Sequence, residues 1–196
     1  GSPITLGSDS LFGNTEVDGV AHSGCNIGTF NKICTLTSPV TATLMDSRYT
    51  QVSFNGTTIA DARTAIDAAN SLQCEVGAIV KSLLFKADND FLICLIAGDR
   101  RCSLNKLKKI LQRKDVSMAN ADEVKEKTGF SIGGVAPIAH IKKLDVLIDK
   151  SLGRFKYVFG AAGHPNCVFK IHYKQLVKIT NGSEKEISEW DKQKVL

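Results

Sequence analysis

The sequence predicts an α+β fold built on a curled mixed sheet flanked by helices. Short β-leaning segments recur along the whole chain, helical periodicities are interspersed among them, and no regular βαβ repeat organises the two. At 196 residues, 43% hydrophobic and 23% charged, the chain has the size and composition to close one core without disulfides and to carry an attached segment.

Residues 1–28 are rich in Gly, Ser, Thr, Asn and Asp and poor in large apolar side chains, which predicts an irregular N-terminal arm ahead of a single domain over 29–196. Gly1 and Ser2, in place of an initiator Met, read as a cloning remnant, so the chain is expected to be a domain of a longer protein. FNKICTLTS and SRYTQVSF read as outer strands, separated by turn signals at Pro39 and Asp46 and closed by Asn55-Gly56. ADARTAIDAANSLQ follows, with Ala60, Ala65, Ile66, Ala69 and Leu72 near helical spacing. VGAIVKSLLF and FLICLIAG, joined by Ala87-Asp88-Asn89-Asp90, predict an antiparallel hairpin of interior strands.

Ser103 is positioned to cap a helix whose apolar stripe is Leu104, Leu107, Ile110 and Leu111. Lys106, Lys108, Lys109, Arg113 and Lys114 crowd its remaining surface, and with Arg100 and Arg101 they form a candidate phosphate-facing patch; a merely solvated helix is the plainer alternative. Asn120 and Glu123 have capping-box spacing and open a short helix that stops at Gly129. Strands are then predicted at DVLID, RFKYVFGAAG and CVFKI, a closing helix at HYKQLVKIT, and a charged tail at SEKEISEWDKQKVL.

The net charge of +5 is compatible with a polyanionic partner and equally with none. Cys25, Cys34, Cys74, Cys94, Cys102 and Cys167 are scattered as in a reducing compartment, and neither a membrane-spanning run nor a secretory signal is visible, so a soluble cytoplasmic protein is expected. The Gly-x-Ser-x-Gly elbow, the phosphate-binding P-loop, His-Glu-x-x-His and the dinucleotide fingerprint are all absent from the sequence. His22-x-x-Cys25 and His164-x-x-Cys167 are half-sites that would need an undetected packing to make a zinc centre, and no metal or other cofactor is expected.

Two features point to chemistry. Thr128 to His140, TGFSIGGVAPIAH, has the make-up of a backbone-lined binding loop: Gly133 and Gly134 permit close approach of main-chain N–H groups, and Pro137 stiffens the exit. An ordinary helix-to-strand connection is the plainer reading of the same residues. Lys81 lies inside an apolar strand and, at period two, points the same way as Ile79, Leu83 and Phe85, so its ammonium is expected in a cleft or snorkelling from a strand end.

VGAIVKSLLFKA, TGFSIGGVAPIAH, VLID and VFGAAGHPNCVFKI follow one another in the order found in the YbaK-like family of aminoacyl-tRNA editing domains, related to the insertion domain of prolyl-tRNA synthetase, and the similarity spans roughly residues 59–182. The resemblance implies a barrel-like curled sheet and an aminoacyl-tRNA deacylase that hydrolyses the ester of a mischarged tRNA. It also implies that Lys81 is the functional lysine, that Gly133, Gly134, Val135, Ala136 and Pro137 bind around the aminoacyl group, and that Gly163 and His164 border the pocket. His140 is either a pocket residue or a structural histidine bonded to backbone. Arg100, Arg101, Lys106 and Lys109 become candidate tRNA contacts. Partners would be the aminoacylated tRNA 3′ end and an aminoacyl-tRNA synthetase, with no membrane. Val168 stands where the Cys-tRNA(Pro) deacylases carry aspartate, which counts against cysteine, and the loop ending Ile138-Ala139-His140 resembles a broader branch of the family acting on small or hydroxylated amino acids attached to tRNA, with tRNA(Pro) a candidate carrier. The alternative is a non-catalytic tRNA- or synthetase-binding module of the same fold.

Overall fold

The computed structural model describes residues 64–164 and 167–191 throughout, and within 3–58 the backbone of five strands. These are β1 (Pro3–Thr5), β2 (Asn14–Val17), β3 (Val20–Asn26), β4 (Val40–Asp46) and β5 (Tyr49–Thr58). The stretch expected to be an irregular arm therefore carries strands: β2 and β3 form an antiparallel ribbon, and β1 runs parallel beside β4. β4 and β5 form a hairpin at the Asp46 turn signal, whereas Asn55-Gly56 does not end β5. Gly56 pairs with Val40 on one side and Phe169 on the other, so ladder hydrogen bonds on both edges carry the strand through a local turn signal. FNKICTLTS lies outside the described residues.

Helix α1 (Ala65–Leu72) starts later than its apolar spacing suggests because Thr64 caps it. The Thr64 Oγ1 accepts from the Asp67 N–H at 3.2 Å and the Asp67 carboxylate accepts from the Thr64 N–H at 2.9 Å, a reciprocal pair that fixes the first turn. A short 3-10 turn, Val76–Ala78, leads into β6 (Ile79–Ala87) and β7 (Asp90–Ala97), which pair antiparallel from Val80 with Ala97 to Ala87 with Asp90, the predicted hairpin. β8 (Arg100–Cys102), α2 (Leu104–Leu111), β9 (Val116–Met118) and α3 (Ala121–Thr128) follow. Ser103 precedes α2 without a side-chain cap, while Asn120 and Glu123 make both bonds of the capping box that opens α3.

β10 (Asp145–Asp149), β11 (Tyr157–His164), β12 (Cys167–His172) and α4 (Tyr173–Thr180) lie where the sequence predicts strand and helix. The segment expected to be a charged tail instead contributes β13 (Ser183–Lys185), parallel to β10, and β14 (Ser188–Trp190), antiparallel to β8. Among the described residues the main sheet runs β1-β4-β5-β12-β11-β6-β7-β10-β13, with β9 on β6, and does not close. It is mixed: β6 is parallel to β11 and antiparallel to β7, and β7 is parallel to β10.

Alternation along β6 and β7 feeds two cores. Val80, Leu84, Ile93 and Leu95 pack with Phe130, Val135, Ala136 and Ile138 on one face, and Phe85, Cys94 and Ile96 pack with Leu107 and Ile187 on the other. Ile187 reaches that second core because buried Asp149 clasps it, accepting from the Ile187 N–H at 2.9 Å and from the Ser151 N–H at 3.0 Å. Burial penalises the Asp149 charge, but hydrogen bonds from the Ser151 and Ile187 N–H groups, with the Ser151 and Ser188 hydroxyls alongside, outweigh that penalty and hold its pKa below the ordinary aspartate value.

A carboxyl depressed in the folded state adds stability above its unfolded pKa, about 3.9, that is lost as pH falls through the lower folded value. Asp149→Asn is therefore expected to cost about 1–3 kcal/mol at neutral pH and to flatten the acid limb of stability, both read by urea unfolding across pH. An unchanged acid limb would mean the clasp contributes nothing.

Candidate functional site

The site is organised by a split in the sheet. On one edge of β6, β11 pairs with Ile79 and Val80 while β9 pairs with Phe85 to Ala87. Between these partners neither β11 nor β9 pairs with Ser82 or Leu83 among the described residues, and the Ala119 N–H donates to the Leu84 carbonyl at 3.0 Å. Strands parting from a common neighbour leave a cleft at the point of divergence, as at the switch points of open sheets.

Lys81 stands at that divergence. It pairs with Ile96 on β7, and stepping the β6–β11 register on from Gly160 beside Val80 sets Ala161 level with it. Ala161 pairs with Val168 on β12, so Ile96, Lys81, Ala161 and Val168 form one row across four strands on one face. Ile79 and Val168 are buried with Ala68 and Ala69 of α1, so a single cation sits in a row otherwise small or apolar. The Lys81 Nζ donates to the Arg100 carbonyl, which directs the ammonium toward the start of β8. The Val168 side chain is buried, 5% exposed, among aliphatic neighbours.

The glycine loop is a closed unit that packs from the opposite face. Its ends are tied by the Ile141 N–H to the Thr128 carbonyl at 3.2 Å and the Lys142 N–H to the Lys127 carbonyl at 3.1 Å. Thr128 links helix to loop, donating to the Val124 carbonyl at 2.6 Å and accepting from the Phe130 N–H at 3.1 Å. His140 is buried, with Nε2 2.8 Å from the Ala136 carbonyl and its ring edge-on to Phe130. A carbonyl only accepts, so this contact requires the proton on Nε2. The bond to Ala136 is the kind that the backbone-bracing reading of His140 requires.

The two glycines serve different needs. Gly133 has φ 86°, a left-handed angle that disfavours a side chain. Gly134 is needed for space: a Cβ there would lie 2.9 Å from the His164 Cα and 3.0 Å from its N and C. This contact brings the loop to Gly163 and His164, which lie at the end of β11 rather than in the turn expected from sequence; Gly163 has φ 94° and the β11–β12 ladder shifts register between Ala161 and His164. Pro137 packs toward Gly160, and Ala139 is held at φ 63°, an angle costly for alanine, so strain is stored inside the loop. The Gly134 N–H is used by the Ser131 carbonyl at 3.0 Å, which leaves Gly133, Val135 and Ala136 as the candidate backbone donors to a ligand.

Of the four candidate tRNA contacts, three are engaged by the C-terminal strand. Arg100 stacks on Trp190 at 4.1 Å, Arg101 pairs with Glu189 at 2.7 Å, and the Lys106 Nζ donates to the Ser188 carbonyl at 2.7 Å. Lys109 is exposed on α2. Sequence reasoning missed Ser82, whose hydroxyl is buried without a hydrogen-bond partner among the described residues and which shares the loop-facing side of β6 with Val80 and Leu84. Its signal was a lone hydroxyl inside an apolar strand, next to Lys81.

The thiols divide by environment. His164 and Cys167 are direct cross-strand partners in the antiparallel β11–β12 ladder, yet burial pushes the Cys167 thiol up to about 11 and makes it a poor nucleophile. A hydrogen bond with Cys94 holds Cys102 below its ordinary value, burial and Asp149 oppose that, and the Lys81 charge assists it. Among the described residues no three His, Cys, Asp or Glu side chains converge as a metal site would require, and the side chains of His22 and Cys25 lie outside the described set. No helix among the described residues is long and apolar enough to cross a membrane.

An open mixed sheet flanked by helices, with a glycine loop closed on itself and packed beside β11, makes this an α+β domain. The aminoacyl-tRNA editing domain family matches residues 59–179, and the chain belongs to that family. It is 34% identical over 114 residues to the uncharacterised protein YwhH of Bacillus subtilis, covering 58% of this chain and 72% of that one. It is also 35% identical over 86 residues to the proline–tRNA ligase of Bacillus velezensis, covering 44% of this chain and 15% of the ligase, so it matches only a small part of such enzymes. A crystal structure of a protein proposed to be a trans-editing enzyme for prolyl tRNA synthetase superposes with TM-score 0.67 at 33% identity, covering 69% of this chain and 87% of that one. The hypothetical protein APE2540 superposes with TM-score 0.65 at 28% identity, covering 70% and 93%.

Two outcomes are expected. Gly134→Ala should lower unfolding stability by about 1–3 kcal/mol and raise amide exchange in both 130–140 and 161–164, because the new methyl meets rigid backbone; a change confined to one segment would contradict the contact. Peptide mapping after brief alkylation near pH 8 should find Cys102 modified before Cys167, with Lys81→Ala slowing Cys102, since the lowered thiol has the larger thiolate fraction.

Proposed function

We propose that the chain is an aminoacyl-tRNA deacylase that hydrolyses the ester joining a wrong amino acid to the 3′-terminal adenosine of a tRNA. The observation that carries this reading is the contact of the glycine loop with Gly163-His164 at the end of β11, the strand that pairs with β6 just before Lys81. Membership of the editing family supports the same class of reaction.

The ester is already activated, so the chain's task is to hold it, place a water and stabilise the developing oxyanion. Lys81, directed to the cleft by the Arg100 carbonyl, supplies positive charge to the terminal nucleotide and acts as a positioning group rather than a base. Backbone N–H groups among Gly133, Val135 and Ala136 are the oxyanion donors, kept rigid by Pro137 and by the His140 bond to Ala136. Ser82 offers a hydroxyl already desolvated. The terminal ribose hydroxyl next to the ester assists in activating water. Gly163 and His164 wall the pocket, and the Ala161–Val168 pair limits the amino acid to a small one, hydroxylated ones included, by steric exclusion. The carrier best supported by the ligase relatives is tRNA(Pro), the partner synthetase would be the prolyl enzyme, and the setting would be the cytoplasm.

Hydrolysis is tested with Ala, Ser, Thr and Cys esters on tRNA(Pro) and on their own tRNAs, with wild type and Lys81→Ala in parallel. Release of one or two small amino acids is expected, slowed about a hundredfold or more by Lys81→Ala. tRNA binding with no release of any ester would establish the non-catalytic module instead.

A further inference from the structure

The C-terminal strand places an unusual surface beside the candidate site. Trp190, the single tryptophan of the chain, is 52% exposed although it lies in a paired strand. The Arg100 guanidinium lies 4.1 Å from its ring centroid and the Arg154 guanidinium 5.5 Å from it. Arg100 is also the residue whose carbonyl receives Lys81, so the aromatic surface is one residue's width from the lysine. The Arg100 Nε is buried with no hydrogen-bond partner among the described residues, an unspent donor next to the ring.

The two guanidinium groups over the Trp190 ring disfavour a cationic partner and favour an anionic one. Arg154 also borders an open groove of about 690 Å³ that is lined by Lys156, Tyr157 and Lys170. Two nearby carboxylates are committed: Asp99 binds Arg154 at 2.9 Å and Glu189 binds Arg101 at 2.7 Å; Glu75 also lines the groove and Asp191 follows Trp190 in sequence. A flat π surface, flanking guanidinium planes and lysines set back from it match a chain of alternating bases and phosphates.

We propose that Trp190, flanked by Arg100 and Arg154, is a stacking platform for an unpaired base of single-stranded nucleic acid, with the groove of Lys156 and Lys170 receiving the phosphates that follow. On the deacylase reading, from which this proposal takes its ligand, the strand is the unpaired 3′ end of tRNA, and the platform holds a base next to the adenosine whose ester lies at Lys81. Arg100 then has two jobs: its guanidinium sandwiches the platform and its carbonyl aims the lysine.

Because Trp190 is the sole tryptophan, its fluorescence reports on this surface alone. A five-nucleotide RNA ending in CCA is titrated against the intact chain, with inorganic polyphosphate of matched charge in parallel. Saturable quenching by the RNA and none by polyphosphate is expected. Labelled RNA followed by anisotropy should bind Trp190→Ala about 5- to 100-fold more weakly and Trp190→Phe within about threefold of wild type, with circular dichroism establishing that both variants fold. Equal quenching by polyphosphate, or unchanged affinity in a folded Trp190→Ala, overturns the platform. Ester hydrolysis is measured separately: hydrolysis with unaltered RNA affinity in Trp190→Ala removes the platform alone, whereas RNA stacking without any hydrolysis removes the deacylase reading alone.

Discussion

The alternation of Ile79–Ala87, a strand packed on both faces, is the constraint on which the candidate site depends. Val80 and Leu84 belong to the core that contains the glycine loop, and Phe85 belongs to the core that contains Ile187. A slip of one residue would exchange these sets, so register is enforced by burial on both sides and by a hairpin paired from Val80 to Ala87. Lys81 is thereby held in the row with Ile96, Ala161 and Val168, and Ser82 is turned toward the loop. The loop and the lysine approach the split from different faces, and the edge between β11 and β9 is where they share access.

This arrangement makes the C-terminal segment part of the site's support. Asp149 holds Ile187, β14 follows at once and pairs with β8, and β8 presents the carbonyl that receives Lys81. The chain of contacts from a buried carboxylate to a cleft ammonium runs through backbone hydrogen bonds, which tolerate little displacement. Arg101 and Lys106 are drawn into the same support, so the basic stretch from Arg100 to Lys114 is partly structural rather than a uniform phosphate-facing surface.

Features decided locally were legible in the sequence. The capping box of Asn120 and Glu123, the hairpin of two apolar runs and the stop at Gly129 depend on neighbours within a few residues, and each lies where the pattern places it. The glycine loop was legible as a unit, but the separate reasons for Gly133 and Gly134 were not, because close approach to His164 is set by a residue thirty positions away. β13 and β14 were read as a tail since their charged sequences carry no apolar alternation; their pairing depends on β10 and β8, and on the burial of Ile187 and Ser188. The strands at residues 3–26 were hidden by Gly- and Ser-rich composition for the same reason, and Asn55-Gly56 was overruled by ladders on both sides. The row through Lys81 needed register, which no single-strand pattern contains.

The central claim is that the ester end of an aminoacyl-tRNA is held at the split edge of β6. It is tested most directly by isotope-edited NMR with a non-hydrolysable amide analogue of 3′-alanyl- or seryl-adenosine. The account predicts saturable shifts concentrated at Lys81, Ser82, Gly133 to Ala136 and Ala161 to His164, with the Lys81→Ala protein binding far more weakly. Saturable shifts gathered elsewhere, or none at these residues while the analogue binds, would contradict it.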